Sequence, residues 1–397
     1  MKEKTQLNIM ILDSIIGGFS RYPLWILLSL YLNSRGYDFI DIGIILVLSN
    51  IITSPFQRKS GKLVDILGRK TFSYVIPFLL AVVYSFLFIS VLLNLTIVLI
   101  FIFLTLTSYL GSFESTVKNT IITDISLEGE RARYFSLMRI WSNVGIGIGL
   151  ICSGLASIVS YSLFFLAPII GSIAETILFY FFFEESRTHV VQEAGGEKIS
   201  IRMKGGYRQI LSVSLLISIC FAISNQYETP AMPLYLSTQW LLSPLYITVL
   251  YSINTGVVVF FQSRITSLAG KFTEHKVFSS GILFYSVAFM IFSVTGNMLL
   301  IASAIVILTV GENLMSPVSS SIISKIAPED QRGEYFGINS LIYGIVSPVS
   351  LFLGIGLLQI FKFHEPYAMY SLSALSVVAF LVSYLYLGKV TRKGRYG

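Results

Sequence analysis

The chain has 397 residues, of which 54% are hydrophobic and only 12% charged, and its mean hydropathy is +0.76. Soluble domains carry about a quarter charged residues, so this composition makes an ordinary water-soluble fold the weaker reading and points to a chain solvated by lipid. The net charge of +7 is explained by topology alone, because the basic residues gather in the connections on one side of the expected spans, so no nucleic-acid partner is expected.

A helix needs roughly 20 apolar residues to cross about 30 Å of hydrocarbon. Segments of that kind recur along the chain, and the sequence predicts spans near 7–32, 39–57, 72–94, 96–122, 135–160, 161–183, 209–238, 244–266, 276–294, 298–325, 334–361 and 365–388. The first starts close to Met1, is long and has no small-residue cleavage site, so it is expected to be a retained helix rather than a signal peptide. Cys152 and Cys220 both fall inside spans, where packing as small apolar residues is expected rather than a disulfide. The expected fold class is an all-α membrane protein, with twelve transmembrane helices in two pseudo-symmetric six-helix bundles.

Lys and Arg are retained on the cytoplasmic side of a membrane. With the N-terminus inside, only Arg35 and Lys362 of the 28 basic residues fall in outer loops. Arg21, Lys118 and Arg139 fall within helices, and every other one lies in an inner segment. Both termini are therefore expected in the cytoplasm of a multi-pass plasma-membrane protein.

Between the sixth and seventh spans lies a long polar stretch, Glu184 to Arg208, which reads as a cytoplasmic linker. The expected domains are an N-terminal bundle, 1–183, a linker, 184–208, and a C-terminal bundle, 209–397. Leu30-Tyr31-Leu32 recurs as Leu234-Tyr235-Leu236, and Phe56-Gln57 as Phe261-Gln262. Gly61-Lys62-Leu63-Val64-Asp65 returns as Gly270-Lys271-Phe272-Thr273-Glu274, and Arg131 to Phe135 as Arg332 to Phe336. These echoes keep one order at a nearly constant offset, the mark of an internal repeat whose substrate site lies between the halves.

The loop after span 2 reads Gly61-Lys62-Leu63-Val64-Asp65-Ile66-Leu67-Gly68-Arg69-Lys70. It resembles the G-x-L-a-D-x-x-G-R-K signature of the major facilitator superfamily, with Val64 at the position where the family has a small residue. The glycines permit a tight connection, an acid there suits a helix N-terminus, and Arg69 suits a carboxylate on a neighbouring helix. The resemblance implies that Asp124 is that carboxylate. It also implies that Gly61, Asp65, Gly68, Arg69, Lys70 and Asp124 form a cytoplasmic gate that latches one state of an alternating-access cycle. On span 5, Gly145-Ile146-Gly147-Ile148-Gly149-Leu150-Ile151-Cys152-Ser153-Gly154 is similar to the Gly-rich pattern of drug antiporters, with Leu150 in place of the proline. Gly311-Glu312 and Pro317 on span 10 are similar to an element of proton-coupled multidrug antiporters.

A charge within a span costs about 2.5–3.5 kcal/mol on insertion scales, and usually faces a cavity or another charge. The candidates are Asp13, Arg21, Glu114, Lys118, Arg139, Glu175, Glu228 and Glu312. Glu114 and Lys118, one turn apart, suit a direct pair, and Asp13 and Arg139 lie at similar depth, so an inner cluster of Asp13, Glu114, Lys118 and Arg139 is expected. Arg21 and Glu312 fall near mid-membrane from opposite halves and are the leading substrate or proton candidates. Glu228, beside Asn225 and Tyr227 and next to Pro230, reads as a gating or substrate residue. Tyr22, Trp141 and Tyr227 are the aromatics expected nearest the cavity, and Glu175 reads as interfacial.

The expected function is secondary transport by alternating access, as proton-coupled antiport of amphipathic or drug-like molecules. A proton-coupled symporter for a small organic anion, with Arg21 as anion site, is the alternative, and a non-transporting sensor on this fold is a third. No enzyme is expected: the histidines at 189, 275 and 364 are scattered, and there is no catalytic motif, metal cluster or ATP-binding loop. The expected partners are a small-molecule substrate, protons and the lipid bilayer, with the chain a monomer. No cofactor is expected, the proton gradient being the energy source.

Overall fold

The computed structural model describes residues 2–53, 68–126, 131–185, 207–327 and 332–393. Among these the chain is all-α: α1 (Lys2–Ser34), α2 (Phe39–Thr53), α3 (Arg69–Leu92), α4 (Ile97–Ile125), α5 (Arg131–Val159), α6 (Leu166–Phe182), α7 (Tyr207–Ser224), α8 (Ala231–Gln239), α9 (Pro244–Ala269), α10 (Glu274–Val294), α11 (Met298–Ile326), α12 (Arg332–Ile360) and α13 (Pro366–Lys393). Eleven described helical segments are long and apolar enough to cross a membrane, and α2 is a shorter apolar helix described to Thr53. Together they make the twelve elements expected of the fold. Many large apolar side chains face outward, Phe181, Val159 and Phe260 among them, as lipid-facing residues do when the solvent is hydrocarbon.

The seventh expected span is broken. α7 ends at Ser224, a 3-10 turn runs from Asn225 to Glu228, and α8 resumes after Pro230. Pro230 and Pro233 lack the N–H that would continue the ladder. The groups at the break find partners close by: Gln226 Nε2 and Ser350 Oγ donate to Ala222 O at 2.6 and 2.8 Å, Thr229 Oγ1 donates to Gln226 O at 2.9 Å, and Gln226 Nε2 also reaches Ser350 O of α12 at 2.9 Å.

The chain divides into two compact units. The first comprises Met1–Leu32, Ile44–Ser200 and Pro244–Thr255, the second Asn33–Gly43, Ile201–Ser243 and Gly256–Gly397. In the first unit α3 packs on α4 and α6. In the second, α10 packs on α11 and α13, so the third span of each half meets the fourth and the sixth.

The Gly-rich stretch of α5 is a packing surface. A methyl group on Gly145 or Gly149 would overlap the backbone carbonyl of Ile15 or Phe19 on α1, and one on Gly18 would overlap Ser142 O. Small residues let two backbones touch this way, and in lipid such contacts supply much of helix association. Cys220 is buried, while Cys152 is exposed rather than packed inside. His275 is buried in the first turn of α10, edge-on to Tyr384.

Candidate functional site

Within the first unit, five ionisable side chains from three helices meet. α1 contributes Asp13 and Arg21, eight residues or about 12 Å apart along one face; α4 contributes Glu114 and Lys118, one turn apart; α6 contributes Glu175. Lys118 Nζ lies 2.7 Å from Asp13 Oδ1, 2.9 Å from Glu114 Oε1 and 3.3 Å from Glu175 Oε1. Arg21 donates through Nη1 to Glu114 and through Nη2 to Glu175. The side chain of Glu175 is 0% exposed, Asp13 2% and Glu114 7%, against 17% for Lys118 and 18% for Arg21. Tyr84 of α3, itself buried, stands within electrostatic range of Arg21, Glu114 and Glu175.

Gly17 makes this arrangement fit. It lies between Asp13 and Arg21 on the same face of α1, and an added Cβ would stand 3.1 Å from Arg21 Nη2 and 3.2 Å from Glu175 Oε1. The bare backbone there leaves the space through which Arg21 reaches α6.

Asp13, Glu114 and Lys118 are thus brought together. Arg21 joins them rather than standing apart, and its carboxylate partners are Glu114 and Glu175. Glu175 is no interfacial residue: it is enclosed by both bases. Arg139 is half-buried on α5, its carbonyl accepting from Asn143 Nδ2 at 2.8 Å. Tyr22 is half-buried on α1, and Trp141 is 36% exposed. In the second unit, Glu312 is half-buried on α11 beside the fully buried Asn313.

The nearest oxygens of Asp13, Glu114 and Glu175 lie within 4.8 Å of one another, a spacing suited to a metal ion. Lys118 Nζ touches all three acids, however, so a tethered ammonium fills the position that a metal would take. Fully ionised, three acids and two bases leave one negative charge, and a single proton brings the cluster to neutrality. Glu175 Oε2 is a buried oxygen with no hydrogen-bond partner among the described residues.

A second polar site lies wholly in the second unit, where the seventh span breaks. Asn225 and Glu228 of the 3-10 turn line a cavity of about 140 Å³, together with Phe221 of α7 and Tyr343 and Ser347 of α12. Tyr227, between them in sequence, is buried at 1% exposure and does not line it.

Gly61 and Asp65 of the loop motif lie outside the described residues. Gly68 has φ of 92°, a conformation costly for any residue with a Cβ, and caps α3. Arg69 Nε donates to Asp124 Oδ2 at 3.0 Å, the pair that the resemblance implies. Glu185, unremarked in the sequence, accepts from the backbone N–H of Arg69 and of Lys70, at 3.1 Å each. A carboxylate there satisfies open donors at the positive end of the helix dipole.

The Major Facilitator Superfamily model matches residues 11–227 and 214–396. Over 106 residues the chain is 32% identical to a protein of Planococcus maritimus named Na(+), Li(+), K(+)/H(+) antiporter, covering 26% of this chain and 25% of that one. Over 226 residues it is 26% identical to YttB, an uncharacterized MFS-type transporter of Bacillus subtilis strain 168, covering 55% of each. The chain thus spans about a quarter and about half of the curated relatives it matches. Among solved structures, a peptide transporter POT superposes with a TM-score of 0.77 at 17% identity, covering 98% of this chain and 95% of that one. The nucleoside transporter NupG gives 0.76 at 12%, covering 98% and 99%, and the human organic anion transporter MFSD10 gives 0.68 at 12%, covering 96% and 100%. Identities this low show a shared fold and nothing finer.

Proposed function

This chain belongs to the Major Facilitator Superfamily, and from that premise we propose that it is a proton-coupled antiporter that moves cationic, amphipathic small molecules across the plasma membrane. One observation carries the proposal: a buried cluster of Asp13, Glu114, Glu175, Arg21 and Lys118 whose charges balance when one proton is bound. A cluster that is neutral with a proton and singly charged without it has two states separated by a single transferable ion, and burial makes the difference between them large. Glu175, the most enclosed acid, with one oxygen unpartnered, is the proposed carrier. The relative named as a cation/proton antiporter agrees in direction.

Anion symport rests on an available guanidinium, and Arg21 is engaged by two carboxylates. The Arg69–Asp124 pair is read as the cytoplasmic latch, with both termini inside and the chain acting as a monomer. The test is proteoliposomes with an internal pH dye and an imposed gradient, challenged with lipophilic cations and with organic anions. Cation-triggered proton movement that falls at least about tenfold in Glu175→Gln is expected. Movement triggered by anions alone, or solute flux indifferent to the gradient, refutes the reading.

A further inference from the structure

The broken seventh span and the cavity beside it are not used by the proton cluster. Irregular backbone at membrane depth persists only where protein buries it or where it lines a cavity, and in transporters built from repeats such breaks accompany ligand sites. Here the break is held in place by Gln226, Thr229 and Ser350, which satisfy its backbone and leave Asn225 and Glu228 at the cavity wall.

We propose that this cavity binds the ammonium head group of a cationic solute. Its chemistry suits that class. Among the described residues that line it, Glu228 is the one acid and there is no base. Phe221 and Tyr343 supply aromatic wall, and aromatic faces with a carboxylate are the usual means of holding quaternary ammonium ions. Phe221 is itself held edge-on by Phe278 at 6.0 Å between centroids. Tyr343 lies within hydrogen-bonding reach of Ser347 and in the electrostatic range of Glu228. The side-chain oxygens of Asn225 and Ser347 add partial negative charge to the same wall. At about 140 Å³ the cavity compares with the roughly 150 Å³ engineered cavity that holds benzene. It therefore has room for a trimethylammonium-sized head.

The biological identity of the ligand rests on the exchange function proposed above, but binding is separable from it. The purified chain in phosphatidylglycerol nanodiscs, which contain no amine head groups, is titrated calorimetrically with choline and with its uncharged isostere 3,3-dimethyl-1-butanol. Choline is expected to bind at least about tenfold tighter than the alcohol. Glu228→Gln abolishes that preference, Glu228→Asp retains part of it, and Tyr343→Phe retains more affinity than Tyr343→Ala. Choline affinity that is absent in the wild type, or unchanged in Glu228→Gln, overturns the assignment and leaves proton exchange standing. Glu228-dependent binding in a protein that moves no protons keeps the pocket and removes the exchange function. Adding phosphatidylethanolamine separates the two sources of an ammonium: competitive weakening of choline marks a lipid head group as the occupant, and unchanged affinity marks a free solute.

Discussion

The two polar sites solve the problem of charge in lipid differently. In the first unit five charges are folded onto one another, with Lys118 touching three acids and Arg21 two, so the cluster is nearly closed to any solute. In the second unit the acid Glu228 borders a cavity, with aromatic and hydroxyl neighbours. A closed network has room for a proton and little else, whereas a cavity with one countercharge has room for a molecule. The contrast teaches that charged residues within apolar spans need not share a job.

The contrast is broken most sharply by Lys118→Met. It strands three carboxylates with one base, and removing one partner of a buried ion pair costs about 3–5 kcal/mol. A fall of the unfolding midpoint in detergent by many degrees is expected, against a much smaller shift for Glu228→Gln; equal shifts would erase the distinction. Next in size is Gly149→Val, which drives α5 into the carbonyl of Phe19 and costs about 1–3 kcal/mol by overpacking, read in the same melts. Glu185→Ala removes the carboxylate at the N-terminus of α3, an exposed position, for about 0.3–1 kcal/mol.

The smallest effect concerns Glu365, in the loop before α13. Burial raises its carboxyl above the ordinary range, a shift that its hydrogen bond with Thr238 partly opposes. A raised folded-state value means that the favourable, protonated form is fully present below the unfolded value of about 4.3 and is lost as pH rises through the folded value. Glu365→Gln is therefore expected to melt with the wild type near pH 4 and slightly above it at neutral pH. A gap that closes as pH rises would reverse the sign and refute the account.

Much of this was legible in the sequence. The spans follow from apolar length and the Arg69–Asp124 pair from the loop motif, whereas the seventh span, expected to run from 209 to 238, breaks at Asn225 to Glu228. Asp13, Glu114 and Lys118 could be grouped because helical spacing and depth are readable from span ends. Glu175, a candidate read as interfacial, was left out of the cluster for a physical reason: its partners are on α1 and α4, and contact between non-neighbouring spans is set by tertiary packing. The signal that would have placed it is that a single acid in the apolar run of α6 needs a base from another helix. Arg21 was misplaced by the same limit, since depth alone does not tell which neighbour a long side chain reaches. Glu185 capping α3 has no local pattern, because the two segments lie over a hundred residues apart.

The central claim, that the first unit's cluster carries the exchanged proton, is tested most directly by counting protons. Protein in weakly buffered detergent with a pH dye is mixed with benzyltrimethylammonium, and the proton released on binding is measured. The account predicts release by the wild type and none by Glu175→Gln. Equal release from both, or none from the wild type while the cation binds, would contradict it.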